Sequence, residues 1–294
     1  MRQVGAPTQR VTIPHTEVHT LFSDHVGAEF QVWIARPVEG VQPLPPGPRN
    51  VLYVLDANLF FGTAVEMTRI MSQLYGELPP LVVIGVAYPT EDPALQAELR
   101  ARDFTPTVDS GFEGMAKAIG GERKPSLPEG ERLGGAGRFL SFLREELRPF
   151  VEARVSVTEK GSVLFGSSLG GLFVLHAFLN EPEVFDSYIA TSPAIWWGGE
   201  VLFDMERERA ATGQEVASKL VLAVGGLEES PRIPMLAQFK MVTNVHKLEE
   251  RLRSEAYPAL QLSKFVFEGE SHTSVVPIAL TRGLRTIFSA GPSG

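Results

Sequence analysis

Gly166-Ser167-Ser168-Leu169-Gly170 sets a serine between two glycines at the spacing Gly-x-Ser-x-Gly. In that pattern the serine occupies a sharp strand-to-helix turn, and the small flanking residues let strand and helix pass closely enough to leave its hydroxyl exposed. The register selects Ser168, because taking Ser167 as the nucleophile would put Phe165 where the first glycine belongs. The surroundings suit such a turn. Ser162–Phe165 is a short apolar run with a β-branched residue, Leu172, Phe173 and Leu175 follow at helical spacing, and Gly171 allows close packing.

A serine hydroxyl is a poor nucleophile until a base takes its proton, and the base needs a third group to hold its tautomer and offset its developing charge. The order on this kind of elbow is serine, acid, histidine, with the histidine in the loop after the last strand. Of six histidines, His15, His19 and His25 fall in the N-terminal arm and hairpin, His176 in the elbow helix and His246 within a later helix. His272 lies between the last predicted strand and the last helix and is the expected base. The apolar run Leu220–Val224 leads into Gly225-Gly226-Leu227-Glu228-Glu229 and so delivers carboxylates to the carboxyl edge of the sheet, where α/β active sites collect. Glu228 is the expected acid, with Glu229, Glu268 and Glu270 as competitors.

The oxyanion formed on attack needs two preorganised donors. One is the backbone N–H of Leu169, at the positive end of its helix. The second is expected after the strand Val51–Leu55, from the backbone of Ala57 or Asn58, with the Asn58 side chain as a further donor. Asp56 is the rival here, as a metal ligand, but no carboxylates or histidines cluster with it in sequence. No metal and no cofactor is expected.

The elements that must position these groups follow from periodicity. Val18–Phe22 and Glu29–Ala35 read as a hairpin, and Pro37–Asn50, with five prolines and two glycines, as an irregular connection. Val51–Leu55 and Leu81–Ala87 are apolar throughout, as strands buried on both faces are, with a helix over Gly62–Tyr75 between them. Thr90–Gly130 interrupts the alternation and is expected to be a long functional loop, the core of a lid over residues 90–132. After it come a helix around Phe139–Phe150, the elbow, strands Phe185–Ala190, Lys219–Val224 and Leu262–Phe267, and helices Val201–Ala211, Met235–Leu252 and Ser274–Phe288. The class is α/β: a mostly parallel sheet of about eight strands, opened by an antiparallel hairpin, with helices on both faces, in a single domain over residues 1–294.

Composition bounds the function. The chain has 44% hydrophobic and 21% charged residues, as globular proteins do, and no apolar run approaches the roughly 20 residues of a membrane span. A formal net charge of −8 with no concentrated basic face argues against a nucleic-acid partner. The absence of cysteine removes disulfides, thiolate metal sites and cysteine nucleophiles, leaving serine as the natural acyl acceptor. No apolar segment follows Arg2, so no secretory signal is visible and a cytoplasmic location is expected. The expected partner is a small-molecule ester, neither a nucleic acid nor a membrane.

Several segments together resemble the Putative esterase family of α/β hydrolases, and within it the branch of bacterial siderophore (catecholate trilactone) esterases. They are Tyr53–Asn58, Arg102-Asp103-Phe104-Thr105-Pro106, Gly134-Gly135-Ala136 with Phe139, Gly166–Gly171, Ser192-Pro193 with Trp196-Trp197, and Glu270-Ser271-His272. The resemblance implies an α/β-hydrolase fold and ester cleavage, with Ser168 as nucleophile and His272 as base. Ala57 departs from it, standing where the family often has glycine. Trp196 and Trp197 are candidates to line an aromatic pocket or to cap the core after Pro193. Arg102 is a candidate substrate clamp or the partner of Asp103 in a structural ion pair. A feruloyl or acetyl esterase acting on sugar esters would share every catalytic part, whereas a binding protein of this fold would lack a triad member.

Overall fold

Val51-Leu52-Tyr53-Val54-Leu55 carries no charged side chain on either face, as suits a strand that runs through the middle of the molecule. In the computed structural model, which describes residues 12–41, 43–109, 111, 125–232, 234–253 and 257–289, its side chains alternate between two cores. Val51, Tyr53 and Leu55 enter one, Leu52 and Val54 the other. Leu220, Leu222 and Val224 against Val221 and Ala223 divide in the same way. A period of two on a sheet covered on both sides produces this pattern.

The strands are β1 (Thr16–Ser23), β2 (Ala28–Ala35), β3 (Arg49–Val54), β4 (Leu81–Ala87), β5 (Val157–Ser167), β6 (Ser187–Thr191), β7 (Lys219–Gly225) and β8 (Gln261–Phe267). They form one eight-stranded sheet in the order β1-β2-β4-β3-β5-β6-β7-β8. β1 and β2 are an antiparallel hairpin, β2 joins β4 antiparallel, and the remaining pairs are parallel. The longer helices are α1 (Ala57–Gln73), α2 (Pro93–Phe104), α3 (Ala136–Ser141), α4 (Arg148–Glu152), α5 (Leu169–Asn180), α6 (Trp197–Ala211), α7 (Met241–Leu252) and α8 (Val275–Phe288), with a π-helical turn at Phe142–Leu147 joining α3 to α4 and a single helical turn at Pro234–Ala237 ahead of α7. α1 and α8 close the core that holds Leu52 and Val54. The other core lies against α3, α5, α6 and α7. Leu169–Leu179 of α5 are all buried, which fits a helix apolar all round.

Three expectations need correction. α1 starts at Ala57 rather than Gly62, since Asp56 in a left-handed conformation (φ 52°, ψ 44°) turns the chain straight from strand to helix. Thr90–Gly130 is not simply a loop. Asp92 accepts a hydrogen bond from the Ala94 N–H at 3.0 Å and Pro93 opens the helix, so α2 begins inside it. The middle of that expected lid, residues 112–124, lies outside the described residues. The helix expected over Met235–Leu252 is broken at Lys240, also left-handed (φ 50°, ψ 43°), and α7 starts at Met241.

Candidate active site

β5 and α5 meet at Ser168, whose φ of 60° and ψ of −118° are far from any relaxed conformation of a serine. Packing imposes the turn. A Cβ on Gly166 would lie 2.4 Å from the Gly170 carbonyl oxygen, and one on Gly171 would lie 2.8 Å from the Thr191 carbonyl oxygen, so both glycines are required by contact. The Ser168 N–H donates to Thr191 O at 3.0 Å, and its own carbonyl accepts from Leu172 and Ala194. Ser168 is half-buried, whereas Ser167 is only 3% exposed and pairs within the sheet with Thr191. Of the two serines, Ser168 is the one at the surface of the turn.

At the carboxyl end of β7 the chain makes a short 3₁₀ turn, Gly226–Glu229, and Glu228 points inward with 1% of its surface exposed. Its Oε2 lies 2.6 Å from His272 Nδ1. Its Oε1 accepts from the Gly225 N–H at 2.8 Å and from the Ser192 hydroxyl at 2.5 Å. The loop carrying His272 is seated on the same turn. Leu227 N–H donates to Glu270 O at 3.0 Å, and a Cβ on Gly225 would lie 2.5 Å from that oxygen. The glycine pair before Glu228 therefore gives the histidine loop room to approach.

The competing carboxylates are engaged elsewhere. Glu229 accepts from the Thr243 N–H at 2.8 Å and the Thr243 hydroxyl at 2.6 Å, in the first turn of α7. Glu270 accepts from the Ser274 hydroxyl, and Glu268 is exposed.

Asp56 is also occupied. Both of its oxygens are held at 2.8 Å by the Arg100 guanidinium, which reaches on toward the Ser167 carbonyl oxygen at 3.5 Å. Burial lowers the Arg100 pKa, but the Asp56 charge and hydrogen bonds outweigh it, and the net shift is upward. One guanidinium engages both oxygens of this carboxylate, and among the described residues no group of three His, Asp or Glu side chains could hold a metal ion. A Cβ on Gly170 would be 3.2 Å from Asp56 Oδ2, so the start of α1 lies against the start of α5. The N–H groups of Ala57, Asn58 and Leu169 all belong to first helical turns, which have no intrahelical acceptor for them. The Asn58 side chain is already paired with the Tyr88 backbone. Its Nδ2 donates to Tyr88 O at 3.1 Å and its Oδ1 accepts from the Tyr88 N–H at 2.8 Å.

Two pocket assignments also change. Trp197 is fully buried and donates from Nε1 to Thr107 O at 3.0 Å, so it belongs to the core. Trp196 is half-buried and stacks on Phe239 with ring centroids 4.4 Å apart, which keeps it a candidate for the pocket. Arg102, 7% exposed, closes its fork on Asp103 at 2.6 and 2.8 Å, the structural ion pair of the two readings. Arg100 and Ser192 join the site without a clear mark in the sequence. The first sits on a helix that was not recognised, and the second carried no signal beyond its place before Pro193.

With this geometry in view, comparisons with known proteins agree with one another. Residues 118–258 match the family described as "Putative esterase", a span that includes Ser168 and Glu228. The chain is 33% identical over 301 residues to the ferri-bacillibactin esterase BesA of Bacillus subtilis, covering 100% of this chain and 96% of that protein. It is 33% identical to the siderophore enterobactin esterase of Emericella nidulans over 80% of each. Among solved structures, the BES protein from Bacillus cereus superposes with a TM-score of 0.80 at 32% identity, covering 98% of this chain and 100% of that one. A mostly parallel sheet of this order, with one relative a third identical along the whole chain and another over 80% of it, means that the chain belongs to the Putative esterase family of α/β hydrolases and is a carboxylic ester hydrolase.

Proposed function

We propose that this protein is a serine esterase that opens ester bonds of siderophore-type substrates through an acyl-Ser168 intermediate, within a single catalytic domain. The observation that carries the mechanism is the 2.6 Å contact between His272 Nδ1 and the buried Glu228 carboxylate. A carboxylate only accepts, so Nδ1 carries the proton and Nε2 is left with a free lone pair. Nε2 takes the Ser168 proton as Oγ attacks the ester carbonyl, and Glu228 offsets the imidazolium that forms. His272 then returns the proton to the departing alkoxide, which leaves the acyl group on Ser168. Water repeats the sequence and releases the acid. The tetrahedral oxyanion is held by the Leu169 N–H and by an N–H from the first turn of α1, Ala57 or Asn58.

The substrate class rests on the two relatives named for ferri-bacillibactin and enterobactin, which match 100% and 80% of this chain. Trp196, stacked on Phe239, is the aromatic surface we assign to the acyl group. The test is a panel of a catecholate trilactone, a feruloyl sugar ester and chromogenic esters of graded acyl length, run on wild type and Ser168→Ala. Trilactone turnover well above the feruloyl ester, abolished in Ser168→Ala, is expected. Preference for the feruloyl ester would reassign the substrate, and an active Ser168→Ala would remove the mechanism.

A further inference from the structure

Thr191 ends β6, and the next residue does something a strand residue does not. Ser192 takes φ 42°, in the left-handed region, and is fully buried. Had the chain continued extended, its side chain would stand perpendicular to the sheet. The left-handed turn instead swings it toward the neighbouring strand. Its N–H donates to Ala223 O on β7 at 2.7 Å, and its hydroxyl donates to Glu228 Oε1 at 2.5 Å. One residue earlier, Thr191 O accepts from the Ser168 N–H at 3.0 Å. Residues 191–192 therefore join the backbone of the nucleophile to the carboxylate of the acid.

The remaining donor to Oε1, the Gly225 N–H, closes the carboxylate onto the end of its own strand, three residues before it. Ser192 comes from the neighbouring strand and ties the carboxylate across to β6. A carboxylate rotates easily about its last bond, and Oε2 faces Nδ1 only while Oε1 is held.

We propose that Ser192 is a positioning residue for the hydrolytic reaction, its hydroxyl fixing Glu228 so that the acid meets His272. This rests on the reading of Glu228 as the acid of the triad.

The experiment compares Ser192→Ala, Ser192→Gly, Glu228→Ala and the double variant Ser192→Ala/Glu228→Ala on a short chromogenic ester, with melting temperatures. Glycine suits φ 42°, so Ser192→Gly removes the hydroxyl without adding strain and reads the result if the alanine variant folds poorly. Hydrogen bonds to charged groups predict a fall in kcat of about ten- to a hundredfold in each single Ser192 variant, with KM unchanged. The double variant should be no worse than Glu228→Ala, since the hydroxyl acts through that carboxylate. Near-normal kcat in Ser192→Gly beside a crippled Glu228→Ala would overturn the inference and leave the acid in place. Losses that multiply in the double variant would also overturn it, by showing that Ser192 acts on something else. A fully active Glu228→Ala would sink the reading of the acid itself.

Discussion

Replacing Glu228 by glutamine changes one atom, and the structure says which way round the amide must sit. Oε1 faces two donors, the Gly225 N–H and the Ser192 hydroxyl, so the amide oxygen has to occupy that side. The amide NH₂ is then forced into the place of Oε2, at 2.6 Å from His272 Nδ1. Two donors cannot face each other, so Nδ1 gives up its proton and the ring turns to the tautomer protonated at Nε2. That imidazole has no lone pair for the Ser168 proton. Locking the wrong tautomer costs about four decades in kcat, or roughly 5 kcal/mol of transition-state stabilisation. Stability should change little, because the amide stays packed and hydrogen-bonded. The assay is kcat on a chromogenic acetyl ester together with a thermal melt, with Glu229→Gln and Glu270→Gln beside it. Glu229→Gln loosens the start of α7 and should cost about 1 kcal/mol of stability with turnover near wild type. A folded Glu228→Gln that keeps a substantial share of its activity would refute the reasoning, as would a larger kcat loss in Glu270→Gln.

The two tryptophans should separate. Trp197→Ala empties a fully buried site and is expected to destabilise by about 3–5 kcal/mol with similar losses on all esters, whereas Trp196→Ala should weaken aryl esters more than acetyl esters, read as kcat/KM on matched pairs. Burial lowers the His176 pKa to about 4, below the 6.5 of an exposed imidazole. The unfolded chain therefore takes up this proton first, so the contribution is whole above about pH 6.5 and is lost as pH falls toward 4, by up to about 3 kcal/mol. His176→Gln should flatten that part of the urea midpoint plotted against pH, and an unchanged slope would refute it. Ser168→Gly should be inactive yet at least as stable as Ser168→Ala, because alanine keeps the strain at φ 60° and ψ −118° that glycine relieves. A lower melting temperature for the glycine variant would count against a strained elbow.

Much of this molecule is legible in its sequence because two simple periods dominate it. Strands buried on both faces, such as Val51–Leu55 and Leu81–Ala87, have no polar interruptions, and the amphipathic helices between them keep a 3.6-residue repeat. Ser168, Glu228 and His272 stood out because each follows a recognisable strand, and the structure brings Glu228 and His272 into contact across 44 positions of chain. What stayed hidden depended on partners far away in sequence. Nothing in the run Arg100-Ala101-Arg102-Asp103 tells which arginine faces the neighbouring aspartate and which crosses to Asp56. α2 was masked by prolines and charge, although Asp92-Pro93 is a proper helix start. Asn58 was credited with a free amide because Tyr88, which occupies it, lies beyond the next strand.

Apart from the sharp turn at Ser168, the conformations around the site were not legible, and they point to how the site is made. Asp56, Ser168 and Ser192 account for three of the six non-glycine residues with positive φ among the described residues. They stand at the carboxyl ends of β3, β5 and β6, three neighbours in the sheet. Each such conformation costs about 1–3 kcal/mol and persists only where the surroundings over-determine it. Here the surroundings do so with named bonds. The Arg100 fork holds Asp56, the sheet edge holds the Ser168 backbone through Thr191 and Ala194, and Ala223 and Glu228 hold Ser192. Glycine would relax all three turns, but glycine has no side chain to send off the edge. Asp56 and Ser192 each send a short polar group off the end of the strand to a partner, Arg100 and Glu228, whereas an extended residue would hold its side chain normal to the sheet. The strain and the chemistry therefore share one cause: polar groups aimed along the carboxyl edge of the sheet rather than across its faces.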